Sequence, residues 1–249
     1  MELVYRKQYT ILDNCTDRYG RVKPSQILFF SQDAATSHCA GIGMDWDSMA
    51  ARGLFWAVSR TKVKIHRLPK LGETVTVETW PMNNTRVAYP RAMAMYDQQG
   101  NLLLQTVSLW VLMDLQKRSM VLPGRSGLDF CGQDRGGELE LPGGLVPCTG
   151  TDSRTRTVAY TDLDINGHLN NARYMDWVDD LMDSEFHRDH APKEFTVCYL
   201  SEAREGQMLR QDYVYDAENN CFHAEFRREK DDGTFDRVLA AKLQYKILC

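Results

Sequence analysis

The amino-acid sequence predicts an α+β protein built from two similar halves. Each half holds one amphipathic helical segment, followed by several stretches with strand character and hairpin-type turns. Between the halves, residues 123–150 hold eight glycines and three prolines without any periodic pattern, as expected of a linker. A helix buries its apolar face against the sheet that follows it, so each half is predicted to be a helix packed on an antiparallel sheet.

The first half is predicted to span residues 1–122. Its helix offers small side chains on the predicted buried face, namely Ser31, Ala34 and Ala35. Small residues on a buried helix face leave either close packing or free volume, so we expect an apolar ligand beneath this helix. Trp56, in the strand that follows, is a further candidate for substrate binding. Strands are predicted at residues 54–66, 73–81, 86–96 and 102–113.

The second half is predicted to span residues 151–249. Its helix presents bulky side chains at the spacing of one buried helical face. These side chains are Tyr174, Trp177, Val178, Leu181 and Met182. The mixed-charge run at residues 227–232 is interpreted as the tip of a hairpin. Strands are predicted at residues 194–203, 208–216, 221–230 and 235–247.

The two halves match each other at their turns. Residues 17–20, with the pattern Asp-x-x-Gly, precede the first helix as residues 164–167 precede the second, an offset of 147. Further along, residues 63–72 match residues 197–206 with an offset of 134. One helix and one meander, repeated in tandem, is the arrangement of a double hotdog fold.

The turn before the second helix concentrates groups that can move protons or orient water. Asp164, Asn166, His168 and Asn170 fall within seven residues. Unpaired backbone amides at the start of the following helix could help to stabilise an oxyanion beside them. The alternative is a turn that only caps the helix, since Asn, Asp and Gly dominate such turns.

Comparison of the halves favours chemistry in the second one. At the positions that match Asn166 and His168, the first half has Tyr19 and Arg21. A carboxylate further along the second half, Glu202, is matched by a leucine. The shared aspartate and glycine therefore indicate turn architecture, whereas the unshared polar groups indicate function.

The composition is that of an ordinary soluble protein, with 43% hydrophobic and 26% charged residues. The net charge of −4 argues against a nucleic-acid partner. The densest apolar run, residues 107–113, is too short to cross a membrane. The N-terminus has no signal or transit pattern, so Met1 is expected to be the mature start.

Seven cysteines are scattered without any C-x-x-C pair, which suits free thiols in a reducing cytoplasm. His187 and His190 lie in a polar stretch without recognisable ligand spacing, and we expect them on a surface loop. No phosphate-cradling motif occurs. The sequence therefore predicts neither a metal site nor a cofactor.

Three separated motifs closely resemble the acyl–acyl carrier protein (acyl-ACP) thioesterases of plant plastids and bacteria. The first is Gly53-Leu-Phe-Trp-Ala-Val-Ser-Arg60 with the strand that follows it. The second is the turn and helix at residues 164–177, and the third is Tyr199-Leu-Ser-Glu-Ala-Arg204. They occur in the family's order, and the resemblance covers nearly the whole chain.

The resemblance implies a tandem double hotdog that hydrolyses the thioester between a fatty acyl chain and ACP in fatty acid biosynthesis. The missing plastid transit peptide points to a bacterial, cytoplasmic member. The family's catalytic aspartate, asparagine and histidine fall on Asp164, Asn166 and His168, and its catalytic glutamate falls on Glu202. The cysteine that follows this glutamate in many plant members is Ala203 here.

Because Ala203 offers no thiol, the nucleophile is expected to be water. Glu202 is the expected general base, since a carboxylate partly desolvated beside an acyl pocket can accept a proton near neutrality. His168 would orient the water or polarise the thioester carbonyl, and Asn166 would donate to the oxyanion or clamp the water. Asp164 would hold the turn and orient the histidine.

Several alternatives stay open. Cys198 precedes Glu202 by four residues, would share its face in a regular strand and could act as the nucleophile, although a buried cysteine is more often a small hydrophobe. The substrate could be acyl-CoA, or the protein could bind acyl thioesters as a sensor without turnover. A homodimer is possible, although two hotdogs in one chain already satisfy the usual pairing. An acidic ACP would dock on surface cations, for which the candidates are Arg60, Lys62, Lys64, Arg204 and Arg210.

Overall fold

A computed structural model describes residues 3–128 and 132–248 of the chain. It divides into two compact units, Met1–Pro142 (the N-terminal unit) and Gly143–Cys249 (the C-terminal unit). The boundary between them falls inside the predicted linker. Within the described residues, no helix has the length and apolar character needed to cross a membrane.

The N-terminal unit packs helices on an antiparallel sheet. The helices are α1 (Pro24–Gly41) and α2 (Trp46–Ala51). The strands are β1 (Tyr5–Thr10), β2 (Leu54–Ile65), β3 (Thr74–Pro81), β4 (Tyr89–Tyr96), β5 (Leu102–Asp114) and β6 (Met120–Val121). The sheet order is β1-β3-β4-β5-β2, with β6 paired to β5.

The C-terminal unit repeats this architecture, except that β6 has no counterpart among its described residues. Its helices are α3 (Arg173–Asp179) and α4 (Ser184–Asp189). Its strands are β7 (Asp152–Thr157), β8 (His190–Tyr199), β9 (Met208–Asp216), β10 (Cys221–Glu229) and β11 (Phe235–Ile247). The antiparallel order is β7-β9-β10-β11-β8, so β7 takes the place of β1 and β8 the place of β2. The α+β class and the tandem repeat are confirmed.

An irregularity in the sheet is also repeated. In the N-terminal unit the register between β4 and β5 jumps after Met95 and skips Leu103. In the C-terminal unit the register between β10 and β11 jumps after Phe226 and skips Val238. A bulge adds one residue to one strand, so these two bulges fix which residues of the units correspond.

The structure differs from the predicted strands in two ways. The strand predicted at residues 194–203 runs instead over His190–Tyr199, so Glu202 lies beyond the strand end. The edge strands β1 and β7 were not predicted. β7 reads Asp-Ser-Arg-Thr-Arg-Thr and is mostly exposed, so it carries no apolar alternation that could reveal it.

The long helix predicted for the second half is wrong. The helix α3 has seven residues and ends at Asp179, before Leu181 and Met182. A second helix starts at Ser184, because the Asp183 side chain accepts a hydrogen bond from the Phe186 amide at 2.8 Å and caps a new N-terminus. The apolar spacing is nevertheless used, since Tyr174, Trp177, Val178 and Leu181 are all buried.

The surface loop predicted around His187 and His190 is also wrong. His187 lies in α4, and its Nε2 is 2.9 Å from the Asp179 carbonyl oxygen. His190 begins β8, and its Nδ1 is 2.9 Å from the Phe186 carbonyl oxygen. Its ring stacks on Phe186 with centroids 4.1 Å apart. Both histidines thus serve local packing.

The end of the linker is fastened to the C-terminal sheet by a buried carboxylate. Glu225 in β10 is fully buried and accepts hydrogen bonds from Arg227, from Arg237 at 2.7 Å and from the Cys148 amide at 3.2 Å. Arg237 also donates to the Leu145 carbonyl at 3.2 Å. Two guanidinium groups and a length of linker therefore share the Glu225 carboxylate, and Arg227 also lies 3.7 Å from Asp212.

We predict that Glu225→Gln destabilises the protein, because the two arginines lose their shared counter-charge. The expected loss of unfolding free energy is about 3 kcal/mol, the lower end for breaking a buried pair, because both guanidinium groups are about one-third exposed. Denaturant titration measures it, with the exposed Glu218→Gln as the matched control. Equal stability of the two variants would contradict this account of the linker.

Candidate active site

The turn at residues 164–168 is organised by the Asp164 side chain. Its Oδ1 accepts hydrogen bonds from the backbone amides of Asn166, at 2.8 Å, and His168, at 3.2 Å. Gly167 has a φ of +72°, a conformation that glycine adopts without a steric penalty. Its amide closes the turn onto the Asp164 carbonyl at 3.0 Å. Asp164 therefore holds the backbone from which His168 projects.

The same turn is present in the N-terminal unit with other side chains. Asp17 Oδ1 accepts from the amides of Tyr19, at 2.8 Å, and Arg21, at 3.0 Å. Gly20 has a φ of +73°. The aspartate and glycine are thus architecture common to both units, and the side chains at 166 and 168 distinguish the C-terminal turn.

Two backbone contacts bring this turn to the segment that carries Glu202. The Leu169 amide donates to the Ala203 carbonyl at 2.8 Å, and His168 forms an isolated β-bridge with Arg204. As a result, His168 Nε2 lies 3.1 Å from Glu202 Oε2. The histidine side chain is 14% exposed and the glutamate side chain is 45% exposed. A partly buried imidazole thus meets a carboxylate that water can reach.

The remaining predicted polar group is less constrained. Asn166 is exposed, and its Nδ2 is 3.5 Å from Asp164 Oδ2, at the limit of a hydrogen bond. The helix α3 begins at Arg173, five residues after His168. One of the amides ahead of the helix is already used, since Ala172 donates to Asn170 Oδ1 at 2.9 Å. The expected help from helix-start amides stays a prediction.

Glu202 lies past the end of β8 and not within the predicted strand. Its side chain is 45% exposed, so the carboxylate is partly covered, as expected, and still open to water. Because Glu202 is outside β8, the same-face argument for Cys198, which needs an unbroken strand, fails. Cys198 is 1% exposed within β8, with its Sγ 3.7 Å from the Gly143 carbonyl oxygen. Ala203 is fully buried.

Sequence reasoning missed two residues near this pair. The Tyr174 hydroxyl is buried with no hydrogen-bond partner in the described part of the chain. Burial raises the pKa of Tyr174, as do the charges of Glu202 and Asp164, whereas Arg228 lowers it. Arg228 donates to the Glu202 carbonyl oxygen at 2.9 Å. Arg228 lies in β10, so residues 227–229 of the predicted hairpin tip belong to the strand, and no local pattern indicates that Arg228 contacts residues 201 and 202.

The small residues of α1 lie where they were predicted, on its buried face. Ser31 is 8% exposed, Ala34 is fully buried and Ala35 is 4% exposed. The interior they face is polar in part. Ser31 Oγ lies 3.4 Å from Thr106 Oγ1, and Arg91 Nη1 lies 3.1 Å from His38 Nδ1.

Arg91 is the unusual member of this interior. It is only 7% exposed, and burial lowers its pKa. Counted back from the two bulges, its counterpart in the C-terminal unit is the fully buried Phe222. The space beneath α1 is therefore not apolar throughout, and a polar set distinguishes the N-terminal unit from its repeat.

Trp56 belongs to a different cluster of the N-terminal unit. Its ring meets Tyr89 edge to face, with centroids 4.9 Å apart. The cluster includes Met49 of α2 and Leu112 of β5. A common substrate site for Trp56 and the small residues of α1 stays a prediction.

The predicted cationic residues are spread over both units. Arg204 is exposed on the segment that carries Glu202, whereas Arg210 is engaged with Asp212 at 2.7 Å. Arg60, Lys62 and Lys64 lie along β2. Within residues 3–128 and 132–248, no group of three or more His, Cys, Asp or Glu side chains is arranged to hold a metal ion.

Two family models match the chain. Residues 2–122 match the acyl-ACP thioesterase N-terminal domain, and residues 149–245 match the acyl-ACP thioesterase C-terminal domain. Among curated proteins, a chloroplastic dodecanoyl-ACP hydrolase of Cinnamomum camphora is 28% identical over 223 residues, which is 84% of this chain and 58% of the relative. A second, from Umbellularia californica, is 26% identical with the same coverage. The chain thus spans about three-fifths of these relatives.

Solved structures agree over the full length. An acyl-ACP thioesterase from Bacteroides thetaiotaomicron is 25% identical with a TM-score of 0.87, covering 98% of each chain. The 12:0-ACP thioesterase from Umbellularia californica has the same fold, with a TM-score of 0.83 at 23% identity, over 100% of this chain and 99% of that one. The two family models, which together cover most of the sequence, show that the chain belongs to the acyl-ACP thioesterase family.

Proposed function

We propose that this protein hydrolyses the thioester of a fatty acyl-ACP to a free fatty acid and ACP. The observation that carries the proposal is the 3.1 Å contact between His168 and Glu202, which joins the two segments that the sequence predicts to be catalytic. Family membership supports this substrate class. The names of its relatives, dodecanoyl-ACP hydrolase among them, support a fatty acyl substrate.

In the proposed reaction, Glu202 removes a proton from a water molecule as its oxygen attacks the thioester carbon. His168 donates from Nε2 to the carboxylate and so fixes its position for the water. The carbon–sulfur bond of the tetrahedral intermediate then breaks, and the departing sulfur takes the proton from Glu202. The fatty acid and the carrier thiol are the products, so atoms and charges balance.

Asn166 and Asp164 have supporting roles in this proposal. The Asn166 side-chain amide is exposed and free to turn toward a bound thioester, where one donor to the oxyanion can lower the barrier by about 3–4 kcal/mol. Asp164 acts through the backbone of the turn, as its two hydrogen bonds to main-chain amides indicate. Its counterpart Asp17 makes the same bonds in a unit that lacks the histidine.

We test the function by measuring thiol release from acyl-ACP and acyl-CoA substrates of short to long chain, with wild type and His168→Ala in parallel. Hydrolysis that favours acyl-ACP and falls by up to about 10²- to 10⁴-fold in the variant is the expected result, because that is the usual contribution of a general base and His168 holds Glu202 in place for this role. Turnover of acyl-CoA alone would mean that the acyl carrier is coenzyme A and not ACP. Binding of acyl thioesters by the wild type without any hydrolysis would reject catalysis and favour a sensor.

The N-terminal unit is proposed to bind the acyl chain beneath α1. Ala34 and Ala35 offer small buried side chains there. We expect the acyl chain to end before it reaches Arg91, because contact between an apolar chain and this buried charge is unfavourable. The length of chain that fits would therefore be set by the residues between Ser31 and His38, which bracket the two alanines on α1.

We predict that Ala34→Phe shifts the preference toward shorter acyl chains, because the added ring fills space beneath α1. Each excluded CH₂ forfeits about 0.8 kcal/mol of burial, so excluding two lowers kcat/KM for the longest substrates about tenfold. The control is Thr36→Phe, on the exposed side of the same helix. An unchanged chain-length profile in a folded Ala34→Phe protein would reject this site.

A further inference from the structure

The loop that carries Glu202 is held from the neighbouring strand β10 by Arg228. Its Nη1 donates to the Glu202 carbonyl at 2.9 Å and to Gln207 Oε1 at 3.0 Å. Its Nη2 lies 3.3 Å from Ser201 Oγ and 3.3 Å from Asp236 Oδ2. Gln207 Oε1 also accepts from the Arg204 amide at 2.9 Å, which closes the loop. One guanidinium thus ties together both ends of the loop.

The N-terminal unit closes the matching loop with an arginine in another place. Arg67 donates to the Leu68 carbonyl at 3.4 Å and to Glu73, with its shorter contact at 2.6 Å. Its Nη2 lies 3.7 Å from Asp97. Glu73 also accepts from the Lys70 amide at 3.0 Å. Arg67 therefore lies on the loop itself. Its acidic partners are Glu73, just before β3, and Asp97, just after β4.

Backbone hydrogen bonds establish that the two loops correspond. The amides of His66 and Arg67 both donate to the carbonyl of Leu103, the residue skipped at the bulge. In the C-terminal unit, the amides at positions 200 and 201 both donate to the carbonyl of Val238, the residue skipped there. Ser201 therefore corresponds to Arg67, and Glu202 corresponds to Leu68.

An arginine closes the loop in both units, but it stands at a different position in each. A guanidinium binds the carbonyl of the residue at the Glu202 position in each case. Counted two residues past the bulge, Arg228 takes the place of Asp97, while Ser201 takes the place of Arg67. An arginine at position 201 would be the chain neighbour of Glu202 and would compete with His168 for its carboxylate. Because Arg228 lies on β10, it binds the main-chain carbonyl of Glu202 and leaves the carboxylate oxygen Oε2 in contact with His168.

We propose that Arg228 is a positioning residue for catalysis: it fixes the main chain of Glu202 so that the carboxylate meets His168. The kinetic part of this inference rests on the proposed hydrolase function. Its structural part, the contact between Glu202 and His168, can be observed without turnover.

The test compares Arg228→Met with the wild type in two readouts. With the thioester that the wild type hydrolyses best, kcat falls at least tenfold while KM changes less than threefold, because the loop positions the base and does not bind the acyl chain. In ¹⁵N NMR, the His168 Nε2 resonance moves toward its position in Glu202→Ala, since both variants lose the same hydrogen bond. Arg228→Lys keeps the positive charge but loses the planar guanidinium with its several donors, so we expect a smaller loss of kcat. This variant replaces Arg228→Met if Arg228→Met does not fold.

The matched control is Arg67→Met, which opens the equivalent clamp in the N-terminal unit. It is expected to lower thermal stability about as much as Arg228→Met and to leave kcat and the His168 resonance unchanged. Equal loss of kcat in the two variants would mean that the clamp serves stability alone and would overturn the inference. An unmoved His168 resonance in Arg228→Met would also overturn it, even if the wild type shows no hydrolysis, a result that would reject the proposed function separately.

Discussion

The contact between His168 Nε2 and Glu202 Oε2 is the interaction on which the rest of this account depends. Neither residue reaches the other through its own element, because each lies on a connecting segment. The Asp164 turn holds one, the Arg228 clamp holds the other, and a backbone hydrogen bond from Leu169 to Ala203 joins the two segments. The two side chains differ in exposure, because the His168 imidazole is mostly buried and the Glu202 carboxylate is nearly half exposed. That asymmetry suits a carboxylate that takes a proton from water while a fixed histidine holds it in place.

The two units share most of their backbone architecture and differ at a few polar side chains. The N-terminal unit has the same turn and the same bulge as the C-terminal unit, and an arginine also closes its loop, but Leu68 stands where the C-terminal unit has Glu202. The turn, the bulge and the closed loop are therefore common architecture, and the side chains that they carry distinguish the unit for which we propose catalysis from its repeat. Beneath the helices, the N-terminal unit is the one with the additional polar side chains. Arg91 and its polar neighbours occupy the N-terminal interior where the C-terminal unit buries Phe222.

The sequence was sufficient for the fold class, the repeat and most strand bounds, because period-two patterns and turn residues carry that information locally. It was insufficient for β7, whose six residues are all polar, and for the break between α3 and α4, where the Asp183 cap outweighs a continuous apolar spacing. In the site, the motif residues could be found by comparing the halves. Arg228 could not, because its partners Ser201 and Glu202 are more than twenty-five residues away and only the sheet register brings them together. The exposure of Glu202 likewise depends on where β8 ends, which the pattern misplaced.

The central claim, that Glu202 and His168 act as one unit, is tested most directly by a double-mutant cycle of Glu202→Ala and His168→Ala. It is read in kcat/KM for the acyl thioester that the wild type hydrolyses fastest. If the two groups act together, the double variant is about as slow as the slower single variant, because the first substitution already removes the function of the pair. Losses that multiply across the cycle would mean that the two side chains contribute independently and would contradict the claim.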